Sequence, residues 1–377
     1  MATLSLIAEP FPDWEARVHF AAATDLVQAL AETAPKSCSA RFLSARGTVA
    51  PEFRSPRIAA EQLPMGANAL PILWQSSTTA RPLDGEMTHS ITPMIPLRSR
   101  PEDDGTQTTV SVPNTLAWEA PDLLTPAQGR QTRSFVRRAA RHADVIIATS
   151  HATASRLQQE YGHDLPVQVV QPVAPTAFLA GPDSAARRER IGLPERYLVT
   201  TANLDDFGRL QWVLDAYASD PSLPHLVAIT GLDPIQHVKG APQPHDILDS
   251  LSERVRGRVT VVASDDLADV GAIVSGAEML LQPQSFAATG YTIIAALMAG
   301  VPVLHAGVPA TEEHVFDAGL GEPEAAGFIT ALSRLLIPSS GDGTSELERL
   351  TVHASDRGRS FSWNSVAWQL WETHSLI

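Results

Sequence analysis

The chain has 377 residues, which is too long for one ordinary core and predicts two domains of roughly 150 to 200 residues each. Hydrophobic residues make up 44% of it and charged residues 19%, a composition that excludes a disordered chain. The net charge of −14 argues against nucleic acid as a partner, because Lys and Arg must neutralise the phosphates. The single cysteine, Cys38, excludes an intramolecular disulfide and a site with several thiolate ligands.

The N-terminal stretch has neither the positive charge nor the apolar run of a secretory signal. No apolar window is long enough for a transmembrane helix. These features predict a cytoplasmic protein with at most peripheral membrane contact. An arginine-rich segment is predicted to be a solvated helix face, with contact to lipid headgroups as the alternative; its arginines are Arg130, Arg133, Arg137, Arg138 and Arg141.

In the first half of the chain, short apolar runs alternate with segments of helical periodicity. Strands are predicted at residues 3–8, 108–112, 144–148 and 167–170. Helices are predicted at residues 18–33, 124–142 and 152–161, the last with Ser150 as its N-cap.

The second half repeats this rhythm. Strands are predicted at residues 197–201, 226–230, 259–263, 278–282 and 301–305, and helices at 210–218, 267–276 and 291–299. Such alternation predicts an α/β protein with two doubly wound domains. Pro, Gly and Ala cluster between Pro172 and Glu189, so we place the linker near Pro182. Ligands of such domains are expected outside the carboxyl ends of the strands, in the cleft between the domains.

Six segments, in order along the chain, resemble motifs of the GT4-type glycosyltransferases, a large family of GT-B enzymes. The resemblance runs from about residue 88 to 373. The segments are the His89–Ser90 stretch with Pro93 and Pro96–Leu97–Arg98, VPNTLAWEAPDLLTP (112–126), ARHADVIIATSHATASRL (140–157), TANLDDFGRLQWVLDAY (201–217), LQPQSFAATGYTIIAALMAGVPVL (281–304) and FSWNSVAWQLW (361–371).

The resemblance implies the GT-B fold, with two Rossmann-like domains facing across a cleft. Residues 1–181 would form the acceptor-side domain and residues 182–360 the nucleotide-sugar-side domain. Residues 361–377 would form a helix that packs back on the first domain. The implied activity is transfer of a hexose from a nucleotide sugar to a glycan, lipid or protein acceptor, with no cofactor and no metal.

In this family, an Arg, a Lys and a helix N-terminus face the donor diphosphate, whose developing charge they stabilise. Two glutamates eight positions apart bind the hydroxyls of the sugar and the ribose, and a His-Asp pair lies in the N-terminal domain. Here the glutamate positions hold Ala287 and Ala295. The Arg and Lys positions hold Phe207 and Gly208, and the His-Asp pair is replaced by Pro113 and Asn114.

Some elements of the family's site are kept. Donor binding would depend on Arg209, Glu313 and the backbone of Gly290, Tyr291 and Thr292. His89 is a candidate catalytic or acceptor-side group, although a histidine hydrogen-bonded beside a strand end is favoured over it.

Two hypotheses follow from the sequence. The first is an active glycosyltransferase. The second is a GT-B pseudoenzyme that serves as a partner or acceptor-binding subunit of an active glycosyltransferase.

Overall fold

The computed structural model describes residues 2–11, 14–76, 87–99, 105–232, 244–264, 266–337 and 344–377. The chain forms two compact units. Unit 1 comprises Met1–Val173 and Ser362–Ile377, and unit 2 comprises Ala174–Phe361. Over the described ranges, no helix is both long and apolar enough to cross a membrane.

Unit 1 is built on a parallel sheet that has seven strands in its described part. The strands are β1 (Ala2–Ile7), β2 (Cys38–Ser44), β3 (Ile58–Gln62), β4 (Met87–Ser90), β5 (Gln107–Val112), β6 (Val145–Ala148) and β7 (Val167–Val169). Their order is β3-β2-β1-β4-β5-β6-β7, and all neighbours are parallel. The order reverses at β1 and β4, where ligands of open α/β sheets bind at the carboxyl ends of the strands.

The helices of unit 1 are α1 (Ala16–Thr33), α2 (Leu70–Gln75), α3 (Leu116–Glu119), α4 (Pro126–His142), α5 (His151–Tyr161) and the last helix of the chain, α15 (Trp363–Leu376). Ser150 caps α5 as predicted, because its hydroxyl accepts a hydrogen bond from the Thr153 amide at 3.0 Å. A Thr125–Gln128 capping box starts α4.

Two of the five arginines of α4 form hydrogen bonds to neighbouring segments, and the other three are exposed. Arg138 donates to the carbonyl oxygen of Trp74 at 2.7 Å, and Arg133 donates to that of Ala117. These two side chains therefore fasten neighbouring segments of unit 1 to the helix. The other three are exposed and lie seven and four residues apart, which places them along one face of α4; they are Arg130, Arg137 and Arg141.

The C-terminal helix α15 belongs to unit 1. It packs on α1, where the indole Nε1 of Trp371 donates to the Leu30 carbonyl at 3.1 Å. Leu370 and Trp371 are buried on its inner face. Burial of such side chains stabilises a fold by about 1.5–3 kcal/mol each, so α15 is part of the core of unit 1.

Unit 2 repeats the architecture with six parallel strands in its described part, in the order β10-β9-β8-β11-β12-β13. The strands are β8 (Tyr197–Thr200), β9 (His225–Thr230), β10 (Val259–Ala263), β11 (Leu280–Gln282), β12 (Val303–His305) and β13 (Gly319–Gly321). The helices are α6 (Ser184–Ile191), α7 (Leu210–Ser219), α8 (Pro244–Ser250), α9 (Glu253–Arg256), α10 (Leu267–Ser275), α11 (Tyr291–Met298), α12 (Pro309–Val315), α13 (Ala325–Leu335) and α14 (Glu346–Gly358).

Candidate functional site

The N-terminus of α11 keeps the backbone geometry of an anion-binding element. Gly290 precedes the helix with φ +88°, a left-handed conformation that favours glycine. A Cβ at Gly290 would lie 2.7 Å from Cδ2 of His314, so the close approach also requires glycine. Tyr291 and Thr292 form the first turn of α11, the positive end of the helix dipole, which favours negative charge.

Ala287 and Ala295, the residues predicted at the two glutamate positions, have different surroundings. Ala287 is half-buried in the loop between β11 and α11. Ala295 is only 3% exposed and faces the core of unit 2 from the middle of α11. Neither side chain can bind a hydroxyl, and position 295 offers no solvated room for a carboxylate.

The loop after β8 is folded tightly on itself. The Asp205 carboxylate accepts hydrogen bonds from the amides of Phe207, at 2.9 Å, and Gly208, at 2.8 Å. The Phe207 carbonyl in turn accepts from the Ser285 amide at 2.9 Å. A Cβ at Gly208 would lie 2.5 Å from the Asn203 carbonyl oxygen, so this loop conformation excludes a lysine at position 208.

Arg209 is the remaining cation beside these positions, and it is stacked on its own helix. It precedes α7 in a left-handed conformation, φ 54°, which costs a non-glycine residue on the order of 1 kcal/mol. Its guanidinium lies 4.6 Å from the centre of the Trp212 ring. Burial lowers the pKa of Arg209, and the Glu324 carboxylate acts in the opposite direction.

Glu313 is half-buried on α12. The backbone carbonyls of Glu313 and His314 each accept a hydrogen bond from Arg357 at 2.9 Å. Arg357 therefore caps the carbonyl groups at the C-terminal end of α12. Burial lowers the pKa of His314 to about 4, so its imidazole is neutral at pH 7.

Two buried amides at the carboxyl ends of β8 and β11 were not predicted from the sequence. The Gln284 side chain donates to the Thr201 hydroxyl at 3.2 Å. Nδ2 of Asn203 and Oε1 of Gln284 are buried and have no hydrogen-bond partner among the described residues. The sequence signal for them was two amide residues closely following predicted strands. They provide two neutral hydrogen-bonding groups at this edge of the sheet.

In unit 1, His89 is 2% exposed and lies inside a hydrogen-bonded network. Its Nδ1 is 2.8 Å from the Thr109 hydroxyl, which is 3.2 Å from Nε2 of His374 on α15. Its Nε2 is 3.3 Å from the Ser111 hydroxyl. Burial lowers the pKa of His89 to about 3. The arrangement holds a neutral imidazole between β4, β5 and α15, so it fits a structural histidine.

Pro113 and Asn114, the residues predicted at the His-Asp positions, directly follow the carboxyl end of β5. The Pro113 carbonyl accepts from the Thr149 hydroxyl at 2.8 Å. The Asn114 side-chain amide donates to the Glu15 carboxylate at 3.4 Å, and the same oxygen lies 3.5 Å from Nε2 of His19. Sequence reasoning missed Glu15 and His19, whose only signal was a spacing of four residues at the start of a helix.

No family model and no curated protein matches the sequence. Several solved structures do match the chain. Sucrose-phosphate synthase from Thermosynechococcus elongatus has a TM-score of 0.72 and 16% identity, covering 100% of this chain and 99% of that one. HepE from Anabaena in complex with UDP has a TM-score of 0.63 and 15% identity, with both chains covered completely; it has also been solved with UDP-glucose. WaaG, a glycosyltransferase of lipopolysaccharide biosynthesis, has a TM-score of 0.58 and 16% identity over 98% of each chain.

At identities of at most 16%, these likenesses concern the fold. They extend over nearly the whole of each chain and include both parallel sheets. The chain therefore has the α/β GT-B fold of these glycosyltransferases, as its sequence motifs predicted.

Proposed function

We propose that this protein is a GT-B glycosyltransferase homologue that does not itself transfer a hexose from a nucleotide sugar. It would serve instead as a partner or acceptor-binding subunit of an active glycosyltransferase. The observation that carries this proposal is the loop after β8, where the family's lysine position is a glycine with no space for a side chain.

Charge supports the same conclusion. Transfer from a nucleotide sugar releases a diphosphate, whose developing charge must be stabilised by cations or amides. The α11 N-terminus supplies the equivalent of only about half an elementary charge. Arg209 is stacked on Trp212 and interacts with Glu324. Asp205 in the loop after β8 and Glu313 on α12 add negative charge at this edge of the sheet. The remaining groups are therefore too few to replace an Arg-Lys pair.

An active transferase is the second candidate, and the Gly290 turn is the observation that favours it. The turn and the start of α11 are kept, and HepE, which shares the fold, has been solved with UDP and with UDP-glucose. In this case Arg209, Glu313 and the backbone of residues 290–292 would hold the donor. The reaction would be hexose transfer without a metal.

A calorimetric titration with UDP-glucose, UDP-galactose, GDP-mannose and UDP distinguishes the two candidates. We expect dissociation constants no tighter than about 1 mM, equivalent to roughly 4 kcal/mol, because the charged donor contacts are absent. Saturable binding below about 100 μM, together with turnover of the bound sugar nucleotide, would establish the active transferase instead.

A further inference from the structure

Strand β3 forms one edge of the unit 1 sheet in the part of the chain that the structure describes. It pairs with β2 on one side only, in parallel register from Ala40↔Ile58 to Ser44↔Gln62. Its last four residues are exposed. Because side chains of a strand point alternately to the two faces of a sheet, both faces of β3 are open to solvent, as is its outer edge.

The hydrogen bonds at the two ends of β3 show which backbone groups face outward. The Arg57 carbonyl accepts from the Ala40 amide at 3.1 Å, and the Leu63 amide donates to the Ser44 carbonyl at 2.7 Å. Backbone groups of successive residues point to opposite sides of a strand, so residues 57, 59, 61 and 63 face β2. Ala60 therefore presents its N–H and C=O at the outer edge, where neither group has a partner among the described residues.

The edge has little of the protection that sheet edges commonly carry. Natural edges are blunted by Lys or Pro within the strand, by a bulge, or by a covering helix or loop. The sequence of β3 is IAAEQ, which contains neither Lys nor Pro. Its one charged side chain, Glu61, lies 3.5 Å from Arg41 on β2. A strand of this kind can be extended by a further strand through backbone hydrogen bonds.

The charges on one face of the edge are complementary to those of a second copy in antiparallel orientation. Arg57 and Glu61 are four residues apart, so they lie on the same face of the strand with Ala59 between them. Arg57 is exposed and forms no ion pair with a described residue. When two copies run antiparallel with Ala59 opposite Ala59, Arg57 of each copy lies opposite Glu61 of the other. Cβ atoms of directly opposite residues are about 4.5–5.5 Å apart, and opposite charges at this distance are stabilising.

The backbone groups fit the same register. With Ala59 opposite Ala59, Ala60 lies opposite the partner's Ile58, and residues that point outward exchange hydrogen bonds in an antiparallel pair. The Ala60 amide then donates to the partner's Ile58 carbonyl, and the twofold axis repeats this bond. The Ile58 amides contribute two more bonds when they exchange their 3.3 Å bond to the Ser55 carbonyl. A shift that placed Ala60 opposite Ala60 would lose the direct pairing of Arg57 with Glu61.

We propose that the protein forms a homodimer through antiparallel pairing of β3 with β3 of a second copy, which joins the two unit 1 sheets into one continuous sheet. The interface is isologous, because the same strand contributes both partners. The inference goes beyond the proposed function and does not depend on it, since the edge lies in unit 1 and includes none of the donor positions.

Sedimentation equilibrium on the full chain, between about 1 and 200 μM, measures the proposed dimer. We expect a reversible monomer–dimer equilibrium within this range, because a pair of short strands is a small interface. Ala60→Pro should weaken dimerisation at least about tenfold, since proline lacks the N–H that donates to the partner. The pairing of β3 with β2 should survive, because the N–H of residue 60 points away from β2.

Circular dichroism of Ala60→Pro, which should match that of the wild type, verifies that the fold is kept. A wild-type chain that stays monomeric at 200 μM would overturn the proposal, and the edge would then be free for a different polypeptide. A dimer that a folded Ala60→Pro variant leaves intact would overturn it too, because the interface would lie elsewhere.

Exchanging charges tests the pairing of Arg57 with Glu61 across the interface. Arg57→Glu and Glu61→Arg should each weaken self-association at least about tenfold, because each change occurs twice in the dimer and turns two attractive pairs into repulsive ones. An equimolar mixture of the two variants should associate within about threefold of the wild type, since each chain offers the charges that the other lacks.

The control for these variants is Arg54→Glu, which carries the same change of charge at an exposed position outside the pairing. It should dimerise like the wild type. If the mixture of Arg57→Glu and Glu61→Arg associates no better than either variant alone, the proposed antiparallel pairing is wrong.

Discussion

Gly208 lies at a position of the loop after β8 that has no space for a side chain. Its Cα faces the backbone of Asn203, and a Cβ there would lie 2.5 Å from the carbonyl oxygen and 2.8 Å from the amide nitrogen. The neighbouring atoms are backbone and cannot rotate away. Restoring a lysine at this position therefore requires the whole turn to refold, and a point substitution cannot do so.

We expect Gly208→Ala to destabilise unit 2 by about 1–3 kcal/mol, the usual cost of forcing a methyl group into packed atoms. Differential scanning fluorimetry should show a melting temperature lower by roughly 2–4 °C for each kcal/mol. Gly257→Ala is the matched control, because nothing lies within 4 Å of a Cβ at Gly257. Equal melting temperatures for the two variants would show that the loop is open enough for a side chain.

The two lost glutamate positions should respond differently to restoration. Ala295 is 3% exposed, so Ala295→Glu buries a carboxylate and should destabilise unit 2 by at least about 3 kcal/mol. Ala287→Glu lies in a half-buried loop and should fold normally. It should still show no turnover of UDP-glucose or GDP-mannose, because the Arg-Lys pair of the family is also not present at the corresponding predicted positions. A measurable rate from Ala287→Glu alone would mean that the rest of the donor site is functional.

At the scale of elements, the network of His89, Thr109 and His374 fastens α15 to β4 and β5. Burial lowers the pKa of His89 to about 3 and that of His374 to about 4, while Asp144 acts to raise the latter. In the unfolded chain both would titrate near the ordinary value of about 6.5. As the pH falls below that value, the unfolded chain takes up protons that the folded unit does not. Stability is therefore full above about pH 6.5 and declines toward pH 4.

The variant His89→Gln/His374→Gln should have a flatter pH dependence of stability. Each of these two histidines lowers the free energy of unfolding of the wild type by about 1 kcal/mol at pH 5.5 relative to pH 7.5. Glutamine does not titrate and has no such effect. Urea unfolding at the two pH values, followed by tryptophan fluorescence, measures the difference. His305 and His314 in unit 2 also have pKa values lowered to about 4 by burial, and they titrate in both proteins. An equal loss of stability in wild type and variant would contradict the assigned protonation states.

The sequence predicted those elements whose periodicity is strong and missed the ones that tertiary contacts define. The predicted strands around β1, β5, β6, β8, β9 and β10 lie within two residues of the observed bounds. β3 (IAAEQ) was not predicted, because this exposed edge strand does not alternate apolar and polar residues. Its neighbour β2 was also not predicted. A readable signal was missed at α14, where Ser345 and Glu348 form a capping box.

At the scale of the whole molecule, motif order predicted the fold, but the site depended on contacts distant in sequence. Glu15 and Asn114 are 99 residues apart, and His89 and His374 are joined through Thr109. Spacing along the chain carries no information on such pairs. The same limit applies to Gly208, whose steric restriction arises only when the loop closes on Asn203. Sequence motifs could therefore propose which positions of the family's site have changed, but they could not show what surrounds those positions.

The first and last parts of the chain share one core, which leads to a prediction about truncation. Residues 362–377 belong to unit 1, and α15 buries Val366, Ala367, Leu370 and Trp371. The apolar side chains lost with α15 would contribute about 1.5–3 kcal/mol each, against a total stability of about 5–15 kcal/mol for a typical domain. A chain that ends at Phe361 should therefore lose the stable fold of unit 1.

Hydrogen–deuterium exchange provides the measurement for this truncation. We expect the amides of β1, β4 and β5 to exchange rapidly in the shortened chain, while those of β8, β9 and β11 keep their protection, because unit 2 has its own core. The full-length variant Trp368→Ala removes a side chain that is 60% exposed and should leave both units protected. Retained protection of β1, β4 and β5 after truncation would show that unit 1 is stable without α15. The contact of the Trp371 indole with Leu30 would then contribute little to the stability of unit 1.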